Sequence, residues 1–226
     1  MKRQKPTKAA PTTLVDLSHV VEHGLVTYHG LPAPIISEHM TREESRKHYG
    51  ANTEFQIGKI DMVANTGTYL DSPFHRFADG KDLSQLPLQV LANLEGICVA
   101  PKPGRAIGAR EFNGMKLKGK AILVHTGWSR HWRTPAYFEG HPFLTADAAE
   151  FLVHSGAVLV GIDSYNIDDT ADGLRPVHTA LLGNGIPIVE HMTGLEQLPP
   201  RGFRFFAVPV QMKGLGSFPV RAFAMV

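Results

Sequence analysis

Cysteine is almost missing from this chain: Cys98 is the only one in 226 residues. No internal disulfide framework is open to it, and the thiol lies in the apolar run ICVA, where a buried, inert side chain is expected. Long hydrophobic runs are missing too, with nothing near the roughly 18 consecutive apolar residues of a membrane span. Nor does one sign of charge dominate. The 23 Lys and Arg stand against 21 Asp and Glu, a formal +2, and the basic residues do not cluster beyond the first eight positions. That balance implies no nucleic acid or other obligate polyanion as partner. The opening MKRQKPTKAAPTT is basic and rich in Pro and Thr, but no apolar segment follows it as in a secretory signal. A flexible tail over residues 1–13 is expected, then a single cytoplasmic domain over 14–226, since no internal repeat or low-complexity linker follows.

What is present suits a globular core: 43% of residues are hydrophobic and 19% charged. EFQIGKIDMV, from Glu54 to Val63, alternates apolar and polar residues as a half-buried strand does. ICVA (97–100), AILVH (121–125) and AVLVGID (157–163) are short continuous apolar runs, the pattern of buried strands. Between the last two, TADAAEFLVHSG predicts a helix, with Thr145 as N-cap, Asp147 in the first turn and Gly156 as the stop. Strand, helix, strand in that order implies a right-handed crossover and some parallel pairing. PVHTALL (176–182) reads as a short helix with Pro at its first position, followed by a strand from Ile186. FRFFAVPVQM and FPVRAFAMV make the C-terminal third strand-rich. The expected class is α/β: one domain, a mixed sheet and packed helices.

The stretch MVANTGTYLDSPFHRF (62–77) holds the densest chemistry. Asp71 and His75 follow an apolar strand, with a Gly-Thr turn before them and Pro73 between, and loops at strand ends are where chemistry is usually placed. Both side chains are ligands for Zn²⁺ or Mn²⁺, and both are equally at home as hydrogen-bonding turn residues. A second pair lies more than 100 residues on. His178 sits on the short helix and Glu190 ends the IPIV strand, where a carboxylate is costly to bury unless it is paired or bound to metal. An outlet to solvent, or a pairing with Arg175, would also satisfy Glu190. Spacing alone does not bring the two pairs together.

Aligned on Gly67-Thr68, the first stretch resembles the signature His-x-Gly-Thr-His-x-Asp-x-Pro-x-His of the cyclase family of metal-dependent hydrolases, which includes bacterial kynurenine formamidases and isatin hydrolases. It keeps Asp71, Pro73 and His75. PVHTALLGNGIPIVE (176–190) is similar to the family's second ligand block and keeps its His and Glu. VDLSHVVEHGLVTYHGLP near the start, HTGWS (125–129) and GIDSYNID (161–168) resemble further family segments, so the likeness spans residues 14 to about 198. The family's first two histidines, however, fall on Asn65 and Tyr69.

The resemblance implies the family's swivelling β/α/β fold and a hydrolase of small amides, formamides or cyclic amides, in an arylformamidase-like reaction with a metal-activated water. A lactone hydrolase and a non-catalytic small-molecule-binding module are the alternatives. Of the two ion sites of two-metal members, the first loses two of its three ligands here. The second keeps all four, at Asp71, His75, His178 and Glu190. One divalent ion per chain, Zn or Mn, is the consequence, because Asn is a poor zinc ligand and Tyr, with a pKa of about 10, coordinates only once deprotonated. His75 is then expected to double as general base and Tyr69 to donate to the oxyanion, with Tyr28, Asn65 and Trp128 on the substrate side. Family likeness also implies a small-molecule substrate and a homodimer or homotetramer.

Overall fold

Thirteen short strands and three helices form the fold, and the computed structural model describes residues 13–226. Most of the expected 1–13 tail therefore lies outside the described residues. In chain order the strands are β1 (Leu14–Asp16), β2 (Ile35–Met40), β3 (Ile57–Asp61), β4 (Tyr69–Asp71), β5 (Leu94–Val99), β6 (Ala106–Ile107), β7 (Ala121–Val124) and β8 (Phe143–Leu144). They continue as β9 (Leu159–Ile162), β10 (Ile188–Glu190), β11 (Arg201–Phe206), β12 (Ser217–Pro219) and β13 (Phe223–Met225). The helices are α1 (Arg42–Ser45), α2 (Ala146–His154) and α3 (Pro176–Gly183). Nine strands make one mixed sheet in the order β1-β13-β11-β5-β7-β9-β10-β4-β12, so the class is α/β.

Its middle, β5-β7-β9-β10, is parallel. These are the continuous apolar runs, because a parallel strand flanked by crossovers is buried on both faces. Side chains still alternate between layers. Ala121 and Leu123 of β7 pack with Leu159, Val189, Phe203 and Phe205 on one side. Ile122 and Val124 pack with Val160, Ile188, Leu152 and Leu181 on the other, under α2 and α3. Truncating Ile122, fully buried, to Ala is the kind of change that costs about 2–5 kcal/mol.

Two local expectations differ in detail. Thr145 is the N-cap of α2, but its hydroxyl donates to the Ile107 carbonyl instead of capping the helix, which ties α2 to β6. The strand expected to be half-buried over 54–63 is β3, and it pairs only with β2, in a two-stranded ribbon apart from the main sheet. All of β3 is exposed: the alternation is there, but among the described residues no layer covers either face.

Two glycines shape the approach to β4. Gly67 takes φ +67°, left-handed backbone that a side chain resists, and its N–H donates to Thr27 Oγ1. A Cβ on Gly216 would lie 2.5 Å from the His75 nitrogen, so only glycine lets the chain before β12 pass the Pro73–His75 turn.

Candidate metal centre

Strand pairing joins the two distant ligand pairs. β4 runs antiparallel to β10 with Tyr69 opposite Glu190 and Asp71 opposite Ile188, while β12 on its other edge sets Ser217 opposite Asp71. The tight turn Pro73–His75 then brings His75 back over β4, and α3 delivers His178. Ligand atoms of Asp71, His75 and His178 lie within 4.8 Å of one another. His75 Nδ1 is 3.7 Å from Asp71 Oδ1, and His178 Nε2 is 3.6 Å from Asp71 Oδ2. Glu190 stands at the margin, its Oε2 3.9 Å from His178 Nε2.

Asp71 is fully buried, and its Oδ2 has no hydrogen-bond partner among the described residues. A carboxylate oxygen left bare inside a protein is expensive unless a cation faces it. Two imidazoles and two carboxylates are also the donor set of zinc and manganese sites. The residues present therefore fit one divalent ion.

Electrostatics agree with that. Burial pushes the Asp71 carboxyl up, but His178, His75 and Ser217 outweigh it and hold it below the usual range. Burial disfavours a charge on His178 too, yet Asp168, Asp71 and Glu190 together push it up to about 10. Glu190 is raised, by burial first and then by the Asp71 charge.

Asp168 is the supporting residue. Its carboxylate accepts from the backbone N–H of Val177 and of His178, at 2.7 and 3.0 Å, which caps α3 from outside the helix. The same carboxylate meets His178 Nδ1 at 2.6 Å, fixing the ring and leaving Nε2 to face Asp71. Ser217 donates to Asp71 Oδ1 and lies 2.9 Å from His75 Nδ1.

Tyr69 is buried and donates to Glu190 Oε2 at 2.6 Å. Burial, with the Glu190 and Asp71 charges, drives its pKa well above the ordinary value. In the structure its one hydrogen goes to Glu190, so it orients that carboxylate. Glu190 also accepts from the Ile167 N–H at 2.6 Å, so it neither emerges into solvent nor pairs with Arg175.

A cavity of about 250 Å³ opens on this group, and Tyr28, Asn65, Tyr69, His75, His178 and Glu190 all line it. Trp128 does not. It lines a separate cavity with Thr126 and Arg130, and its indole N–H donates to the Tyr137 carbonyl. The cause is the preceding turn, where buried Asp163 accepts from Thr126 N, Thr126 Oγ1 and Gly127 N and pins the chain. Trp132, four residues on, stacks against His19 at 4.0 Å instead.

The model of the cyclase family matches residues 15–169. The chain belongs to the cyclase family. Among its relatives, the kynurenine formamidase of Bacillus cereus is 29% identical over 209 residues, which cover 92% of this chain and 95% of that one. That of Bacillus anthracis is 29% identical over 210 residues. Two solved structures share the fold. An isatin hydrolase bound to the product analogue thioisatinate superposes with a TM-score of 0.80 at 20% identity, covering 95% of this chain and 92% of that one. A potential metal-dependent hydrolase with cyclase activity gives 0.78 at 22%, covering 95% and 98%.

Set against the cyclase-family signature, Asn65 and Tyr69 both face the cavity from the positions of the first two histidines. Asp168 and Ser217 escaped the sequence reading as site residues. Asp168 carried a signal, an Asp ten residues before a ligand-type His in GIDSYNID, but Ser217 is joined to the site by pairing alone.

Proposed function

We propose that this chain is a metal-dependent hydrolase of small amides, formamides of arylamines foremost, working with one zinc or manganese ion. The observation that carries this is the buried Asp71, its Oδ2 without a hydrogen-bond partner among the described residues, grouped with His75 and His178, which line a cavity. Kynurenine formamidases matched over nearly their whole length support the choice of amide. Asp71, His75, His178 and Glu190 are the residues that would hold the ion. When bound, it supplies a Lewis acid for a carbonyl and a water whose pKa falls toward about 7. Asp168 and Ser217 keep His178 and His75 in position, and Tyr69 does the same for Glu190. His75 is the most exposed of the four and the one we assign to proton exchange. Ser217 lies against its Nδ1, so Nε2 would exchange the proton, with Asp71, His178 and Glu190 holding the ion while it does so. The amide C–N bond breaks, water's oxygen stays on the carbonyl carbon, and a proton leaves on the amine.

Protein purified without chelator should contain one Zn or Mn per chain and hydrolyse formanilides. Chelation should abolish turnover, and either ion should restore it. Two ions per chain would refute the one-ion reading, and turnover of lactones alone would move the reaction class.

The reading includes a cytoplasmic homodimer or homotetramer. The β2–β3 ribbon leaves Ile36 and its cross-strand partner Ile60 exposed on one face, an apolar pair suited to a second copy. Light scattering at micromolar concentration should give at least twice the 24.8 kDa chain mass, and a monomer would exclude it.

A further inference from the structure

Beside the ligand group, the same cavity is lined by two arginines, Arg76 and Arg175. Neither has a carboxylate within 4.0 Å among the described residues. Arg175 is half-buried and held only by uncharged oxygens at long range. Its Nη1 donates to Asn166 Oδ1 at 3.3 Å and to the Asp169 carbonyl at 3.4 Å, and its Nη2 to Tyr28 Oη at 3.3 Å. Tyr28 is itself fixed by stacking on Tyr165, 4.7 Å between centroids. Arg76 Nε donates to Thr179 Oγ1, whose hydroxyl in turn bonds the Arg175 carbonyl, so the two arginines are linked across the first turn of α3.

The backbone of Arg175 adds a second observation. It sits at φ 50°, ψ 59°, a left-handed conformation that a Cβ disfavours and in which Gly or Asn would be at ease, immediately before Pro176. An arginine kept in strained backbone at a cavity wall, with no counterion, points to what the cavity receives. A guanidinium offers a planar fork of donors that matches a carboxylate in two parallel hydrogen bonds. Glu190, the acid that lines the cavity, accepts from Tyr69 and meets Arg175 only through Asn166, which donates to Glu190 and accepts from Arg175.

We propose that Arg175, assisted by Arg76, binds a carboxylate on the substrate, so that the amide cleaved here is an anionic one. This rests on the hydrolase reading above and narrows it to amides with a carboxylate across the ring or chain from the scissile bond. Arg175 determines specificity and takes no part in bond breaking.

The test compares 4-formamidobenzoate, whose carboxylate lies across the ring from the formamide, with formanilide, which lacks it, on the metal-loaded enzyme. Wild type should favour the anionic substrate by about tenfold or more in kcat/KM. Arg175→Gln should collapse that ratio, chiefly through KM, and Arg175→Lys should recover only part of it. If Arg175→Gln does not fold, Arg76→Gln carries the same comparison from the exposed side. No preference in wild type, or an equal loss on both substrates, would overturn the proposal. Should neither amide be cleaved, the hydrolase reading fails separately. The carboxylate site is then decided by calorimetry of benzoate against benzamide on metal-loaded protein. Benzoate binding weakened about tenfold by Arg175→Gln supports it, and benzoate binding indifferent to Arg175 refutes it.

Discussion

Glu190→Gln and His178→Ala should each remove the bound ion and lower kcat/KM by roughly a thousandfold or more, because Lewis-acid stabilisation contributes several kcal/mol and each 1.36 kcal/mol is a factor of about ten. The two variants should differ in stability. Gln keeps the shape of Glu190: its Oε1 can still accept from the Ile167 N–H, and its Nε2 can donate to Tyr69 Oη once that hydroxyl turns its hydrogen away, so Glu190→Gln should fold normally and lose only the metal. His178→Ala strips the one imidazole that lies between Asp71 and Asp168, both of them buried. Leaving such a charge unpaired typically costs about 3–5 kcal/mol, so this variant should also melt earlier. Elemental analysis, kinetics and thermal melting in parallel make the comparison. Full metal occupancy with unchanged turnover in both variants would sink the assignment of the centre.

For Asp168→Asn we expect metal affinity to fall by about 10–100-fold, although Asp168 is not assigned as a ligand. Its carboxylate does three things at once: it accepts from Val177 N, from His178 N and from His178 Nδ1. An amide can replace one acceptor per oxygen but offers N–H groups to donors elsewhere, so the cap of α3 and the ring of His178 both loosen. The pH dependence carries a sharper signature. With its pKa pushed up to about 10, His178 in the metal-free protein is protonated at neutral pH and must give up that proton to hold an ion. Affinity in the wild type should therefore rise with pH across the neutral range and level off only as pH passes the raised pKa. Without the Asp168 charge the His178 pKa drops, and the rise should end at lower pH. Chelator competition at several pH values measures both effects. An unaltered affinity and pH profile would show that Asp168 only caps the helix.

Much of this was legible in the sequence because it depends on neighbours along the chain. Continuous apolar runs became the parallel strands β5, β7, β9 and β10, since burial on both faces favours apolar side chains along most of their length. Pro176 opens α3 as expected, because its missing N–H costs nothing in the first turn. The residue types at 71, 75, 178 and 190 announced ligand chemistry before any geometry was known.

Other features depended on what lies far away in sequence, and only the tertiary structure decided them. EFQIGKIDMV has the alternation of a half-buried strand, yet β3 is exposed, because alternation records two unlike faces and not whether a layer covers one. Trp128 and Trp132 look alike in the string, and the carboxylate of Asp163, more than thirty residues on, turns the first away from the cavity. The phenol of Tyr69 gives its hydrogen to Glu190 because β4 pairs with β10 in that register, and a slip of one residue would point it to the opposite face. Composition and short-range pattern determined which groups could bind a metal and which segments could be buried. Strand register and helix docking, set by the packing free energy of the whole sheet, determined which of those groups meet.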